Sequence, residues 1–306
     1  MDRFDAMRAF ARVVETGSFT QAAQTLQLGR TRVTELVQQL EAHLQVRLLN
    51  RTTRRVSMTA DGDTYYQHVV RLLADLEEAE SSLAAASRVP RGRLRIDVPS
   101  PFARLLLVPA LPDFHARYPE IELVIGVSDR EVDLVGDNVD CVIRGGVPDT
   151  LSLVARPLGA LTLGVHASAD YLQRHGMPLD PRELDGPQHL TVGFLSSRTG
   201  RSRRYVLRRG DEVVDVQGRH VIAIDDGDAY LAAGLAGLGV ICVPDYMAAA
   251  HVERGELVRL FPGWTLPVLP MHLVFPPNRH PSQRLRAFVD WMLALMQAAP
   301  VGVRRA

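Results

Sequence analysis

The residues of this 306-residue chain best suited to chemistry are hydrogen-bonding types gathered near its start. Arg30, Thr31, Arg32, Thr34 and Glu35 place donors and acceptors within six positions. A guanidinium can take guanine O6 and N7 together, a hydroxyl suits several base edges, and a carboxylate accepts from cytosine. The chemistry this suggests is the reading of DNA, with Arg30 and Arg32 either on a guanine or on phosphate. Arg47, Arg51, Arg54 and Arg55 follow within nine residues, interleaved with Thr52 and Thr53. Such a cluster suits the phosphate backbone, which gives affinity and position without sequence information. A solvated basic loop fits less well, because four neighbouring arginines repel one another without an anionic partner.

Reactive constellations are missing from the rest. Gly234, Gly237 and Gly239 are spaced three and two apart and close a helical stretch, so they do not form a GxGxxG turn. There is no P-loop, HExxH or GxSxG motif. His43, His68, His115, His166 and His175 lack metal-ligand spacing. Cys141 and Cys242 sit in apolar, strand-like runs without metal or redox spacing, which predicts buried reduced thiols and a reducing cytoplasm. No signal-peptide core or membrane-length apolar run is present. These observations disfavour an enzyme, an exported protein and a membrane partner, and no cofactor or metal is expected.

The elements that position the first cluster lie in Ser18–Glu41. Phe19, Ala22, Ala23 and Leu26 recur at helical spacing, and Ser18 with Gln21 forms a predicted capping box; both are also among the DNA-facing candidates. Val33, Val37, Leu40 and Leu44 make the apolar stripe of a second helix, leaving Arg30, Thr31, Thr34 and Glu35 on or near the opposite face. Gln27, Leu28 and Gly29 form the turn. The pattern fits a helix-turn-helix, whose second helix presents its first residues to the major groove; it also fits an ordinary helical hairpin. Met7, Phe10, Ala11 and Val14 predict a preceding helix ending at Thr16–Gly17, and Val46–Thr59 reads as an extended ribbon or wing. Thr59 then caps a long helix with a heptad rhythm at Tyr66, Val69, Leu73, Leu76 and Leu83, broken by Glu80. Pairing with a second copy would supply two recognition helices for a palindrome; packing on its own domain is the other reading.

Charge supports this division. The formal net charge is zero, yet residues 1–60 carry nine arginines against five acids and residues 61–88 carry two against six. Lysine is absent throughout, a uniformity that indicates codon bias more than selection for guanidinium. From Arg93 onward RLRIDV, IELVIGV, VDCVI, LTLGVHA, HLTVGFL and GVICVP read as strands. Between most of them lie helical stretches at Phe102–Tyr118, Arg130–Val135, Ala229–Leu238 and Pro281–Gln297. Alternation of this kind predicts an α/β domain with largely parallel sheets, long enough for two lobes.

The motifs FARVVETGSFTQAAQTL, VTELVQQLEAHLQVRLLNRTTRRVSMTADG, PRGRLRI, YPEIEL, VDCVIRGG, ARPLG and AAGLAGLGVICVP occur in an order and spacing that resemble LysR-type transcriptional regulators over nearly the whole chain. The resemblance implies an N-terminal all-α winged helix-turn-helix plus a C-terminal α/β two-lobed, periplasmic-binding-protein-like domain, joined by a long linker helix. The expected bounds are 1–59, 60–89 and 90–306. The lobes fall at about 92–162 with 268–300 and about 163–267, and strands cross near Leu161–Gly164 and Leu266–Pro270. The implied partners are double-stranded DNA, a small-molecule effector and a second copy of the chain as homodimer or homotetramer; RNA polymerase is a further candidate. An architectural DNA binder without effector response is the rival reading. The chain departs from the family at the head of the recognition helix, where Gly29, Arg30, Thr31, Arg32, Val33 and Thr34 replace a Ser-Gln-Ser/Pro-Ala-Val-Ser pattern.

Ligands of open α/β sheets sit beyond the carboxyl ends of strands, often against helix N-termini. Ser100 and Pro101, Ser128 and Asp129, and Arg144, Gly145 and Gly146 follow the first three strands. Phe194 and Ser196 end a later one, and Asp225, Asp226 and Gly227 precede a helix. Each has a local structural reading, Ser100 as a helix cap above all. Their shared placement makes them the candidate effector set, and the family resemblance points to Ser100 in particular.

Overall fold

The computed structural model describes residues 2–51, 56–83, 89–130, 134, 139–146, 153–197, 199–276, 282–298 and 303–304. The chain forms two compact units, Met1–Val89 and Pro90–Ala306.

In the first unit α1 (Arg3–Thr16) starts where Asp2 accepts from the Phe4 and Asp5 N–H groups and ends at Gly17, whose φ of 62° is left-handed. The helices α2 (Phe19–Thr25) and α3 (Arg30–Leu44) follow, then an antiparallel pair β1 (Leu49–Arg51) and β2 (Val56–Met58), and α4 (Ala60–Leu83). Ala6, Ala9, Phe10, Val13, Ala22, Val33, Leu36, Val37 and Leu40 build one core; Leu36 extends the expected stripe, and Leu44 is half-buried at its end. The capping box forms by half. Ser18 Oγ accepts from Gln21 N–H at 3.4 Å, but the Ser18 N–H goes to Thr16 Oγ1, also at 3.4 Å, which leaves Gln21 exposed and unused by the cap.

Two polar side chains seat the wing and the long helix. One Glu41 carboxylate oxygen accepts from the Leu48 and Leu49 N–H groups at 2.9 and 3.1 Å. Thr59 Oγ1 donates to Arg47 O at 2.7 Å and accepts from Gly62 N–H at 2.9 Å, as the expected cap does. The heptad stripe is shared between two roles. Val69 is buried in the first unit's core, with Tyr65, Tyr66 and Leu73 packed on it and the Phe10 and Tyr65 ring centroids 5.9 Å apart. The first half of α4 is therefore held by its own unit, because Phe10 and its neighbours offer an apolar surface that Tyr66, Val69 and Leu73 cover. Leu72 remains 44% exposed.

In the second unit β3 (Gly92–Val98), β4 (Ile121–Val127) and β5 (Cys141–Gly145) are parallel. Between β3 and β4 a helix runs over 100–117, with a π-helical turn at Ala103–Leu107 that ends just before Val108 and Pro109. That wider turn accommodates a proline ring that would otherwise press on the preceding turn. The sheet is completed by β6 (Val154–Leu161), Leu269–Phe275 and Val303–Arg304. It is mixed, not largely parallel. The chain leaves through β6 and returns through Leu269–Phe275, which lies between β5 and β6 and runs against both. Phe114, Phe288 and Trp291 fill this lobe's core.

Past Thr162 the chain continues as β7 (Leu163–Ser168), the centre of a second sheet, antiparallel to Ile241–Pro244 and Leu257–Arg259. Of the strand expected at 189–195, Gly193–Phe194 forms, parallel to Ala223–Ile224, flanked by isolated bridges at Thr191 and Leu195. A hairpin of Tyr205–Arg209 and Glu212–Val216, outside the expected strands, turns at Gly210 with φ 58° and lays the Arg209 guanidinium 4.4 Å from the Trp264 ring centroid. The expected helix at Arg130–Val135 falls largely outside the described residues. Cys141 is buried and Cys242 half-buried; both are free, and burial pushes the Cys242 thiol up to about 12. Among the described residues no helix is long and apolar enough to cross a membrane.

A Cβ added at Gly62 would stand 1.9 Å from the Leu48 carbonyl oxygen, a backbone atom that cannot step aside. Gly62→Ala is therefore expected to destabilise the first unit by about 1–3 kcal/mol, as overpacking does. Urea unfolding read through a first-unit probe checks this; an unchanged midpoint would mean that α4 and the wing separate freely.

Candidate DNA-binding and effector sites

The recognition helix divides cleanly. Val33, Leu36, Val37 and Leu40 are buried, while Arg30, Thr31, Arg32 and Glu35 are exposed. Gly29 caps α3 without a side-chain bond, so nothing from the cap covers the first turn. Thr34 is half-buried and its hydroxyl donates back to Arg30 O at 3.0 Å, which takes that donor out of use. Arg32 leans towards Glu35 at 3.7 Å, an exposed pair of the kind worth at most about 1 kcal/mol. Among the described residues Arg30 has no ion-pair partner, which leaves its guanidinium available. Arg47 is exposed beside the wing. Arg51 ends β1 opposite Val56, while Thr52, Arg54 and Arg55 lie outside the described residues.

In the second unit several expected residues meet across the two lobes. Ser100 Oγ donates to Asp228 Oδ2 at 2.5 Å, and Arg104, one turn further along the same helix, donates to Asp228 Oδ1 through Nε and Nη2 at 3.2 and 2.7 Å. In the opposite direction Asp129 Oδ2 accepts from Gly227 N–H at 2.8 Å, at the start of the helix Gly227–Leu235. Arg130 Nε pairs with Asp225 Oδ2 at 3.3 Å. Pro101 lies against Gly227 so closely that a Cβ there would come within 2.6 Å of its ring. Leu105 adds an apolar contact, packing on the core that holds Tyr230 and Leu231. Asp226 is turned to its own helix, capping the Ala229 N–H at 2.8 Å.

Electrostatics differ between the two crossing carboxylates. Burial pushes the Asp129 carboxyl above the usual range despite the bond from Gly227. Burial also opposes ionisation of Asp228, but its hydrogen bonds from Arg104 and Ser100 win and hold it below that range.

The remaining expected residues stand apart from this junction or serve the lobes themselves. Arg144 binds Asp97 at 2.5 Å and the Arg130 carbonyl at 2.9 Å, tying β5 to β3 and to the loop after β4. A Cβ at Gly126 would fall 2.3 Å from Asp97 Oδ2, so the glycine makes room for that carboxylate. Ser128 Oγ accepts from Arg130 N–H, closing its own turn. Gly145 faces Leu269, whose side chain would have to shift to admit a Cβ 2.9 Å from its terminal methyl. Phe194 packs edge-on against Tyr230 with Arg203 over its ring, and Ser196 Oγ accepts from Thr199 N–H inside its loop. Arg104 and Asp228 are the participants that sequence reasoning missed. Arg104 was signalled by its i, i+4 relation to Ser100, which puts both on one helix face. Among the described residues no group of three or more His, Cys, Asp and Glu side chains could hold a metal ion.

Residues 4–63 match the bacterial regulatory helix-turn-helix proteins of the lysR family, and residues 87–297 match the LysR substrate binding domain. The chain belongs to the LysR family: it is a DNA-binding transcriptional regulator whose second unit is an effector-binding domain. It is 39% identical over 300 residues to an HTH-type transcriptional repressor of Pseudomonas aeruginosa, covering 98% of this chain and 94% of that protein. It is similar to the solved structure of CrgA, a LysR-type transcriptional regulator from Neisseria meningitidis, with a TM-score of 0.60, 30% identity and coverage of 95% and 97%. The full-length Vibrio cholerae virulence activator AphB is likewise similar, with a TM-score of 0.58, 26% identity and coverage of 95% and 98%.

The crossing between lobes is clasped at Thr162. Its hydroxyl donates to Asp245 Oδ2 at 2.6 Å, its carbonyl accepts the Asp245 N–H at 2.9 Å, and Arg259 Nη1 reaches Asp245 Oδ1 at 3.1 Å. His166 is buried behind this clasp, and its Nδ1 has no partner among the described residues. Burial, reinforced by the Arg259 charge and opposed by Asp245, lowers the imidazole to about 4. Its folded pKa thus lies below the unfolded value near 6.5, so the unfolded chain takes up the proton first. Stability from His166 is full above about pH 6.5 and is lost as pH falls towards 4, by up to about 3 kcal/mol. His166→Gln should lower the pH slope of unfolding in that window by about one proton relative to wild type. An identical slope in both proteins would show that His166 ionises equally in the folded and unfolded states.

Proposed function

We propose that the first turn of α3 reads bases at an imperfect palindrome and that the wing holds phosphate. The observation that carries this is the division of α3, with Val33, Leu36, Val37 and Leu40 buried and Arg30, Thr31 and Arg32 exposed at its N-terminal end. Arg30 is the base-reading residue, supported by its lack of an ion-pair partner among the described residues; Arg32, leaning on Glu35, is the phosphate-binding one. Ser18, Gln21, Thr34, Glu35, Arg51, Thr52, Arg54 and Arg55 complete the DNA-facing set. Two copies pair through the outer face of α4, for which the exposed Leu72 argues. The palindrome then follows from the two-fold relation of the recognition helices.

In this reading a small molecule binds at the interlobe junction, with Ser100, Pro101, Asp129, Asp225 and Asp226 around it and Ser128, Arg144, Gly145, Phe194 and Ser196 supporting its walls. The lobes divide at about 92–162 with 268–300 and 163–267, in keeping with one core built from Leu94, Ile143, Leu273 and Phe288 and others from Val165, Leu207, Val243 and Leu257. The protein acts in the cytoplasm on chromosomal DNA, and it regulates without catalysing a reaction. Effector binding changes the DNA contacts because the two lobe arrangements bind it unequally.

Genome-wide DNA pull-down identifies the operator. On that operator Arg30→Ala should relax discrimination at one base pair in each half-site by about 1–3 kcal/mol while weakening random DNA far less. Equal loss of affinity for operator and random DNA would assign Arg30 to phosphate instead.

A further inference from the structure

Five carboxylates gather near the interlobe junction, and four of them are not free to respond to a ligand in the same way as the fifth. Asp97 is bound within its own lobe by Arg144, Asp226 caps its own helix, Asp225 makes a long exposed pair with Arg130, and Asp129 accepts a backbone N–H. Asp228 differs because two side chains of the other lobe converge on both of its oxygens with three hydrogen bonds: the Ser100 hydroxyl on one and two guanidinium N–H groups of Arg104 on the other. A hydroxyl and a guanidinium converging on two carboxylate oxygens form a seat fitted to a carboxylate, and this one is filled by the protein itself.

We infer that the Ser100–Arg104 pair is a carboxylate-binding seat, that Asp228 is its tethered occupant, and that the effector is an organic carboxylate which takes the seat by displacing Asp228. This rests on the interlobe effector site proposed above. The displaced Asp228 would then lie beside a second anion with its donors gone, so its side of the junction moves away. Occupancy of the seat and the arrangement of the lobes are linked in this way, as a ligand that shifts an equilibrium requires. Because Asp228 is tethered, it competes at a high effective concentration. A simple monocarboxylate should therefore bind wild type poorly, and the natural effector needs a second point of attachment.

The test is rescue of a missing side chain by its free counterpart. Thermal unfolding of the full chain is followed in rising sodium acetate and, at equal ionic strength, in sodium chloride. In Asp228→Ala acetate should raise the midpoint above that in chloride, with half-saturation about tenfold lower than any acetate effect in wild type. The preference should vanish in Arg104→Ala/Asp228→Ala. Asp228→Ser, which also withdraws the carboxylate and leaves the seat open, serves if Asp228→Ala does not fold and should show the same preference. Equal responses to acetate and chloride in the folded single variant, or a preference that survives loss of Arg104, would overturn the inference. Operator binding by wild type is read separately; its failure would speak against the regulator reading and not against the seat.

Discussion

Carboxylates that leave one lobe and find donors on the other are the interactions on which the arrangement of the effector unit depends. Covalently, the lobes are joined where β6 runs through Thr162 into β7 and where the chain returns before Leu269, and strands alone leave two lobes free to rock. The side chains that limit this are unequal. Arg130 and Asp225 form an exposed pair, worth at most about 1 kcal/mol. Hydrogen bonds to a charged group contribute about 1.5–3 kcal/mol each, so Ser100 and Arg104 with Asp228, and Asp129 with the Gly227 N–H, dominate the junction. Pro101 against Gly227 and Leu105 on the core around Tyr230 add packing that requires the lobes to stay in register.

The DNA-binding unit uses the same device, charged or polar side chains ending on backbone. Glu41, near the end of the recognition helix, holds the entry to the wing, and Thr59 ties the wing's exit to the first turn of α4. Gly62 permits the close approach that both need. The exposed first turn of α3 thus belongs to a helix that is held near its other end, with Arg32 leaning on Glu35 and Arg30 outside any ion pair among the described residues. α4 has two audiences: Tyr66, Val69 and Leu73 serve the core of their own unit, while Leu72 does not.

Periodic apolar spacing made α1 and α3 legible from sequence, since each buries one face against a single core, while the strands Gly92–Val98 and Ile121–Val127 were legible as short apolar runs. The hairpin Tyr205–Val216 was less legible, because its burial alternates within two short strands among six arginines at 198–209. Of the heptad expected in α4, Tyr66, Val69 and Leu73 pack on their own unit; a stripe does not say which surface covers it. At the candidate effector site, strand-end logic found Ser100, Pro101, Asp129 and Asp225, all of which meet at the junction. It missed Arg104 and Asp228, which lie one turn and one residue inside their helices. Their pairing depends on how two lobes face each other, a long-range relation that local sequence does not carry. Ser128, Gly145 and Ser196 occupy similar strand ends yet bond or pack within their own lobe.

If side-chain contacts between the lobes set how the regulator engages its operator, loosening them must alter its DNA contacts. The most direct measurement is a nuclease footprint of wild type and of Asp129→Asn/Asp228→Asn on the same operator, since these substitutions keep side-chain shape and remove both crossing charges. Both proteins should protect the same half-site bases, because α3 is untouched, but the double variant should change the extent or spacing of protection and its hypersensitive positions. Identical footprints from two folded proteins would contradict it.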